Sequence, residues 1–221
     1  MHSRGPGFRL AGMSLIAAER AVGYALQRQR MTAAEFLAWD ESQQIKHEFV
    51  RGEVFAMAGG EDRNVTVAGN LYIALRPHLR GSPCRVYGSD VKLRVEAADC
   101  YFYPDLMVTC SALDAADRLI KREPVLVVEV LSPSTAGYDR GGKFAAYRQL
   151  PSLAEYLLVD VDTQRCDLFR KRPEDGLWVL HPSAPGDAVQ LASVGLAISA
   201  DALWADLEPD AAPAATAAPG S

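Results

Sequence analysis

The 221-residue sequence has no block of lysines and arginines, and no apolar run approaches the roughly 20 residues that span a bilayer. With no basic block and a formal charge of −5, the chain does not read as a protein that coats DNA by neutralising phosphates. The acidity does not exclude a nuclease. A metal site needs carboxylates, and a local basic cleft can sit inside an acidic total. The four cysteines (Cys84, Cys100, Cys110 and Cys166) form no CxxC pair, and the four histidines form no HExxH. Close ligand spacing marks structural zinc, so buried reduced thiols in a cytosolic protein are the expectation instead. Near the N-terminus, Arg4 and Arg9 precede only a brief apolar patch that Glu19 and Arg20 interrupt, unlike a secretory signal. These absences point to a cytoplasmic protein that does not engage a membrane.

What is present falls into three segments. Residues 1–30 read as an N-terminal extension, poorly ordered or helical, with no period over 1–13 and a pattern compatible with a helix over 14–30. Residues 209–221 are rich in Ala and Pro and read as a flexible tail. Between them, residues 31–208 alternate strand-like and helix-like patterns. Thr32 and Glu35 form a capping box ahead of Phe36, Leu37 and Trp39. Residues 47–50 and 53–57 flank Arg51-Gly52, a hairpin turn. A helix is predicted over 64–79, with Val65, Ala68, Leu71, Tyr72 and Leu75 on one face. Strands are predicted over 84–87, 91–95 and 101–109, with a polar linker or short helix over 112–122. Residues 124–131 form a continuous apolar run with one charge in it, as expected for a central strand. A helix over 140–150, capped by Asp139 and stopped by Pro151, precedes a hairpin over 155–162 and 165–171. Weak strands near Trp178 and Val189 and a short helix near Ala202 close the pattern.

Glu129 is the most informative residue. It interrupts Val125-Leu126-Val127-Val128-Glu129-Val130-Leu131, and an ionised carboxylate is costly to bury unless it is paired or bound to a cation. A salt bridge to a core arginine, or an edge-strand position, would explain Glu129 alone. Asp105 presents the same problem in Tyr101-Phe102-Tyr103-Pro104-Asp105-Leu106-Met107-Val108, where Pro104 suggests a bulge or strand edge. Two such strands can bring both acids to one point of a sheet, where they repel unless a hard cation such as Mg²⁺ lies between them. That chemistry suits phosphodiester hydrolysis, which also wants a cationic side chain near the attacked phosphate. Period two puts residue 131 on the face of Glu129, but residue 131 is leucine. The nearest lysine is Lys143 on the next helix, which otherwise reads as a solvated surface residue. Tyr147, one turn further on, would fix the approach of that lysine or simply pack in the core.

Residues 31–180 resemble the Uma-two family, a restriction-endonuclease branch of the PD-(D/E)XK nuclease superfamily. The resemblance lies in His47-Glu48-Phe49-Val50-Arg51-Gly52-Glu53-Val54, in Tyr103-Pro104-Asp105-Leu106 and in Val127-Val128-Glu129-Val130-Leu131-Ser132-Pro133-Ser134-Thr135. Asp139-Arg140-Gly141-Gly142-Lys143-Phe144-Ala145-Ala146-Tyr147 and Glu155-Tyr156-Leu157-Leu158-Val159-Asp160 complete it. The resemblance implies an α/β (α+β) fold, a restriction-endonuclease-like mixed β-sheet flanked by helices, with an N-terminal β-hairpin. It implies an Mg²⁺-dependent endonuclease, with Mn²⁺ able to substitute, acting on nucleic acid, DNA first. Asp105 and Glu129 become metal ligands, Lys143 stands in for the lysine absent two residues after Glu129, and Glu48 fits the family's early acidic position. Where relatives often carry a histidine at the start of the first long helix, this chain has Asn64.

Two other classes compete. Gly137-Tyr138-Asp139-Arg140-Gly141-Gly142-Lys143 fits GxxxxGK between a strand and a helix, as a phosphate-binding loop would, although Phe144 replaces the Ser or Thr that holds magnesium. A nuclease fold serving only as a binding module is the other, though a pure binder gains nothing from two repelling acids. A homodimer would suit double-strand cutting.

Overall fold

A computed structural model of the chain describes residues 30–57 and 59–207. The helix read over residues 14–30, all but its last residue, and the tail over 209–221 lie outside the described residues.

Helix α1 (Ala33–Asp40) opens with the expected capping box. The Thr32 amide donates to Glu35 Oε2 at 2.7 Å, and the Glu35 amide returns a bond to Thr32 Oγ1 at 3.2 Å. The helix buries Phe36 against the rings of Phe49 and Tyr101, 5.2 and 5.7 Å away. Strands β1 (His47–Val50) and β2 (Glu53–Ala56) form the hairpin. Its two turn residues, Arg51 and Gly52, have φ of 50° and 94°, the left-handed pair that a two-residue hairpin demands.

Helix α2 (Asp62–His78) is followed by β3 (Arg85–Gly88) and β4 (Lys92–Val95). The stretch expected as one strand over 101–109 is two: β5 (Cys100–Phe102) and β6 (Leu106–Thr109), which belong to different sheets. The chain changes sheet at Tyr103-Pro104-Asp105. Proline lacks the N–H that a ladder would use, so it suits a point where pairing stops. Helix α3 (Ala112–Ala116) and the two-residue β7 (Ile120–Lys121) precede β8, which runs over Pro124–Leu131 as expected. Helix α4 starts at Ala136–Tyr138, widens into a π turn over Asp139–Lys143 and resumes over Phe144–Tyr147. Strands β9 (Glu155–Asp160), β10 (Arg165–Lys171), β11 (Trp178–Ser183), β12 (Val189–Leu191) and β13 (Leu196–Ile198) lead to α5 (Ala200–Leu203).

The larger sheet has the order β11-β10-β9-β8-β6-β3, with β8 and β9 parallel and the other neighbours antiparallel. The smaller has the order β2-β1-β5-β4-β7, and β12 pairs with β13 separately. On one face of the larger sheet, Leu126, Val128 and Val130 pack with Val67, Leu71 and Leu75 of α2 and with Leu203 of α5. On the other face, Val127 and Leu131 pack with Ala146 and Tyr147 of α4 and with Leu93, Val95 and Phe102 of the smaller sheet. The expected mixed sheet flanked by helices is present, with the second sheet folded against it.

Two further expectations fail. The buried face of α2 is Val67, Leu71 and Leu75, a strict i,i+4 row, while Val65 and Tyr72 lie on the exposed side. Cys84 and Cys110 are not reduced thiols but a disulfide. The antiparallel register that sets Arg85 opposite Thr109 also sets Cys84 opposite Cys110, just beyond the paired residues. Cys100 and Cys166 are free and buried, as expected. Replacing Leu71 by alanine is expected to cost about 2–5 kcal/mol in urea unfolding, and Val65→Ala no more than about 0.5 kcal/mol. Equal losses would mean that the helix faces the core differently.

Candidate active site

The acids meet where the two sheets face each other. Glu129 alternates with Val127 and Leu131 on the β8 face turned towards α4 and the smaller sheet. Leu106 pairs with Val128, so the residue before β6, Asp105, stands opposite Glu129. The Asp105 amide lies 3.4 Å from Glu129 Oε2, and Asp105 Oδ2 accepts the Val130 amide at 2.7 Å. Each carboxylate is therefore met by a main-chain amide from the other strand's side, Glu129 by that of Asp105 and Asp105 by that of Val130. Glu48 enters from β1 of the smaller sheet on the face shared with Val50, and the Tyr103 amide reaches its Oε1 at 3.4 Å.

Lys143 is not a solvated lysine. It is 7% exposed, and its Nζ lies 3.1 Å from Glu129 Oε1, 3.2 Å from Glu48 Oε1 and 3.3 Å from Asp139 Oδ1. All four residues proposed from the sequence (Glu48, Asp105, Glu129 and Lys143) are thus brought to one place. Tyr147 is there too, but in a different role from the expected one. Its buried hydroxyl donates to Glu129 Oε1 at 2.8 Å, so it orients the glutamate rather than the lysine. Asn64 also has a visible task. Its Nδ2 donates to the Leu131 carbonyl at 2.9 Å and stands 3.5 Å from that of Val130, pinning the end of β8 to the first turn of α2.

Asp139 was missed. The sequence reading made it a helix cap, but it lies inside α4, buried, beside Lys143. The signal was available: residues 139, 143 and 147 repeat at i,i+4 and carry an acid, a base and a tyrosine on one helical face. The π turn that holds Asp139 and Lys143 also contains Gly142. A Cβ there would fall 2.3 Å from the Tyr138 ring, so glycine lets that ring lie against the helix.

The electrostatics follow from burial. Desolvation pushes Glu129 up to about 8, with Asp105, Asp139 and Glu48 adding repulsion and Lys143 opposing it. Desolvation raises Asp105 as well, against the Val130 amide and Lys143. For Lys143, burial works against the ammonium, but Glu129, Glu48 and Asp139 outweigh it and hold the group charged. Two carboxylates whose acidity is suppressed, facing each other across neighbouring strands, are a donor set that a divalent cation would relieve. Among the described residues, no three His, Cys, Asp or Glu side chains are grouped to close around an ion. The Asp105–Glu129 pair instead suits Mg²⁺, which takes one or two carboxylates and keeps several waters. The residues present fit such a cation.

The GxxxxGK reading does not survive this geometry. Residues 137–143 form helical turns, with the Tyr138 and Asp139 amides donating to the Thr135 carbonyl at 2.8 and 2.9 Å. No loop of free amides is left to cradle a phosphate, and three carboxylates surround the lysine.

Comparison with known proteins agrees with this architecture. The profile of the Uma2 family, described as "Putative restriction endonuclease", matches residues 33–202, and the chain belongs to that family. An uncharacterized protein of Synechocystis sp. is 37% identical over 178 residues, which is 80% of this chain and 93% of that protein. A second from the same organism is 35% identical over 152 residues, 68% of this chain and 85% of its own. The crystal structure of an Anabaena variabilis protein described as a putative nuclease belonging to DUF820 superposes with a TM-score of 0.66 at 15% identity. It covers 79% of this chain and 97% of its own. The fold is that of a restriction-endonuclease-like nuclease. Among the described residues, no helix is long and apolar enough to cross a membrane.

The suppressed acidity of Glu129 has a sign that can be checked. Its pKa is raised from 4.5 to about 8 on folding, so the folded chain binds the extra proton and stability falls as pH rises through that window. Glu129→Gln removes the titration. In EDTA, the parent is expected to lose several degrees of Tm between pH 5 and pH 8.5, and the variant clearly less. Parallel losses would show that Glu129 is already ionised at low pH.

Proposed function

We propose that the protein is a metal-dependent endonuclease that hydrolyses phosphodiester bonds in nucleic acid, with DNA as the substrate and the cytoplasm as its place of action. The observation that carries this reading is the convergence of Asp105, Glu129 and Lys143 at the junction of the two sheets. The family contributes the nuclease class, and the site contributes chemistry that suits it.

Asp105 and Glu129 would hold Mg²⁺, or Mn²⁺ in its place, which supplies Lewis acidity at a phosphodiester oxygen and a more acidic water. The chain's own groups do the rest. Asp105 is the least buried of the acids, so the phosphate approaches from its side. The Val130 amide fixes the Asp105 carboxylate, and the Tyr147 hydroxyl fixes that of Glu129, so neither must reorganise as the substrate arrives. The Lys143 ammonium is held charged among the acids, from where it can stabilise the negative charge that grows on the phosphoryl oxygens. Phe102, with its ring 5.9 Å from the ammonium, forms an apolar floor that keeps bulk water away. Nothing in this scheme distinguishes the bases of the substrate.

The test is cleavage of plasmid and of labelled DNA and RNA oligonucleotides with Mg²⁺ or Mn²⁺, with an EDTA control. Asp105→Ala and Glu129→Ala are expected to abolish cutting while circular dichroism stays unchanged. Lys143→Met is expected to lower turnover by about 10²–10³-fold, the scale for losing one charge-stabilising donor, without weakening metal binding. Retained binding of nucleic acid with no cutting of any substrate would favour the non-catalytic binding module.

A further inference from the structure

We infer that Asp139 is a positioning residue: it is the seat that takes the Lys143 ammonium when a divalent cation occupies the Glu129 carboxylate. This rests on the proposed cation at Asp105 and Glu129. As the chain stands, Lys143 and Tyr147 both use Glu129 Oε1, at 3.1 and 2.8 Å. An ammonium and a divalent cation on one carboxylate repel each other strongly in a site as buried as this one. The ammonium therefore needs another partner close by.

Asp139 is placed to be that partner. Its Oδ1 is buried and lies 3.3 Å from the ammonium, yet it makes no hydrogen bond. A buried carboxylate oxygen left without a donor is costly, and its survival calls for a state in which it is used. Asp139 and Lys143 ride on the same π turn, whereas Glu129 and Glu48 come from two different sheets. A shift of the ammonium towards Asp139 is therefore a rearrangement within one helix. The Asp139 main chain is anchored while this happens, because Tyr156 donates its hydroxyl to the Asp139 carbonyl at 3.0 Å. Glu48 remains a second acceptor at 3.2 Å, so the lysine stays charged and near the phosphate position.

The test is a double-mutant cycle read by metal binding. Mn²⁺ is titrated into the full-length parent, Asp139→Asn, Asp139→Glu, Lys143→Met and the Asp139→Asn/Lys143→Met double variant, and free Mn²⁺ is followed by electron paramagnetic resonance. Asp139→Asn leaves the ammonium on Glu129 and is expected to weaken Mn²⁺ binding roughly tenfold, within the range found for contacting residues. Asp139→Glu restores most of the affinity. Lys143→Met binds Mn²⁺ more tightly than the parent, and on that background Asp139→Asn has little effect. An equal loss on both backgrounds would mean that Asp139 acts through its own charge, and the inference falls even if cutting is normal. Should the asparagine variant fail to fold, ¹⁵N-lysine NMR of the parent decides. Mg²⁺ is expected to move the Lys143 ammonium signal, and an unmoved signal overturns the inference. Absence of Mn²⁺ binding by the parent would sink both this inference and the metal-dependent reading. Intact cleavage with additive binding losses would sink this inference alone.

Discussion

The structure turns on a single buried ammonium. Lys143 holds Glu48, Glu129 and Asp139 within 3.1 to 3.3 Å of one nitrogen, in a place where charges are expensive. Take that cation away and three carboxylates face one another across a dry junction, with Asp105 beside them. The acids come from β1, β8 and α4, and Asp105 from the sheet crossover before β6, so their meeting requires both sheets and the helix to be in place. The ammonium is thus both a chemical group and the tie between the layers, because only the finished fold can satisfy it. A lysine on the strand itself would neutralise the acids without binding the helix to them.

That distinction explains the missing lysine two residues after Glu129. Leu131 lies on the same face as Glu129 but packs into the core with Ala146 and Tyr147. The face is therefore closed by helix α4, and a cation reaches Glu129 most directly from that helix. Moving the base from strand to helix keeps its position relative to the acids while the strand stays wholly apolar around Glu129. It also lets one helical face deliver three groups at once: Asp139, Lys143 and Tyr147. The sequence carries the trade openly, since leucine appears where the strand needs packing and lysine where the helix turns inward.

Much of this was legible in the sequence because burial makes polar residues conspicuous. A glutamate in an eight-residue apolar strand and an aspartate after a proline can be noticed without coordinates, and both lie in the site. The hairpin could be read from Arg51-Gly52, α1 from its capping box and β8 from its apolar run with the single charge of Glu129 in it. The split of residues 101–109 between two sheets could not be read, because alternation continues through a crossover and only pairing partners reveal it. The α2 face was misread because Val65 and Tyr72 are apolar yet exposed, and hydrophobicity alone does not say which row of a helix meets the sheet. The Cys84–Cys110 bridge depended on a strand register, which spacing does not supply. Asp139 was hidden by a plausible local role. An aspartate at the apparent start of a helix reads as a cap, and only the earlier start of α4 shows that it is internal.

The same burial that exposed the site also sets its energetic character. A core built only for stability would replace Glu129 by an apolar residue, because replacing a buried ion cluster by packed side chains is often neutral or favourable. Here the surroundings are committed to keeping the acid: Tyr147 donates to it, Asp105 interlocks with it through the main chain, and Lys143 compensates it. A leucine at 129 would strand the Tyr147 hydroxyl, the Asp105 amide and the Lys143 ammonium together. Yet it is not fully satisfied, since Asp139 Oδ1 has charge nearby and no hydrogen bond. A purely structural cluster relaxes until its buried acceptors are met. The acceptor left open beside the Lys143 ammonium is the one that the proposed cation-bound state would use.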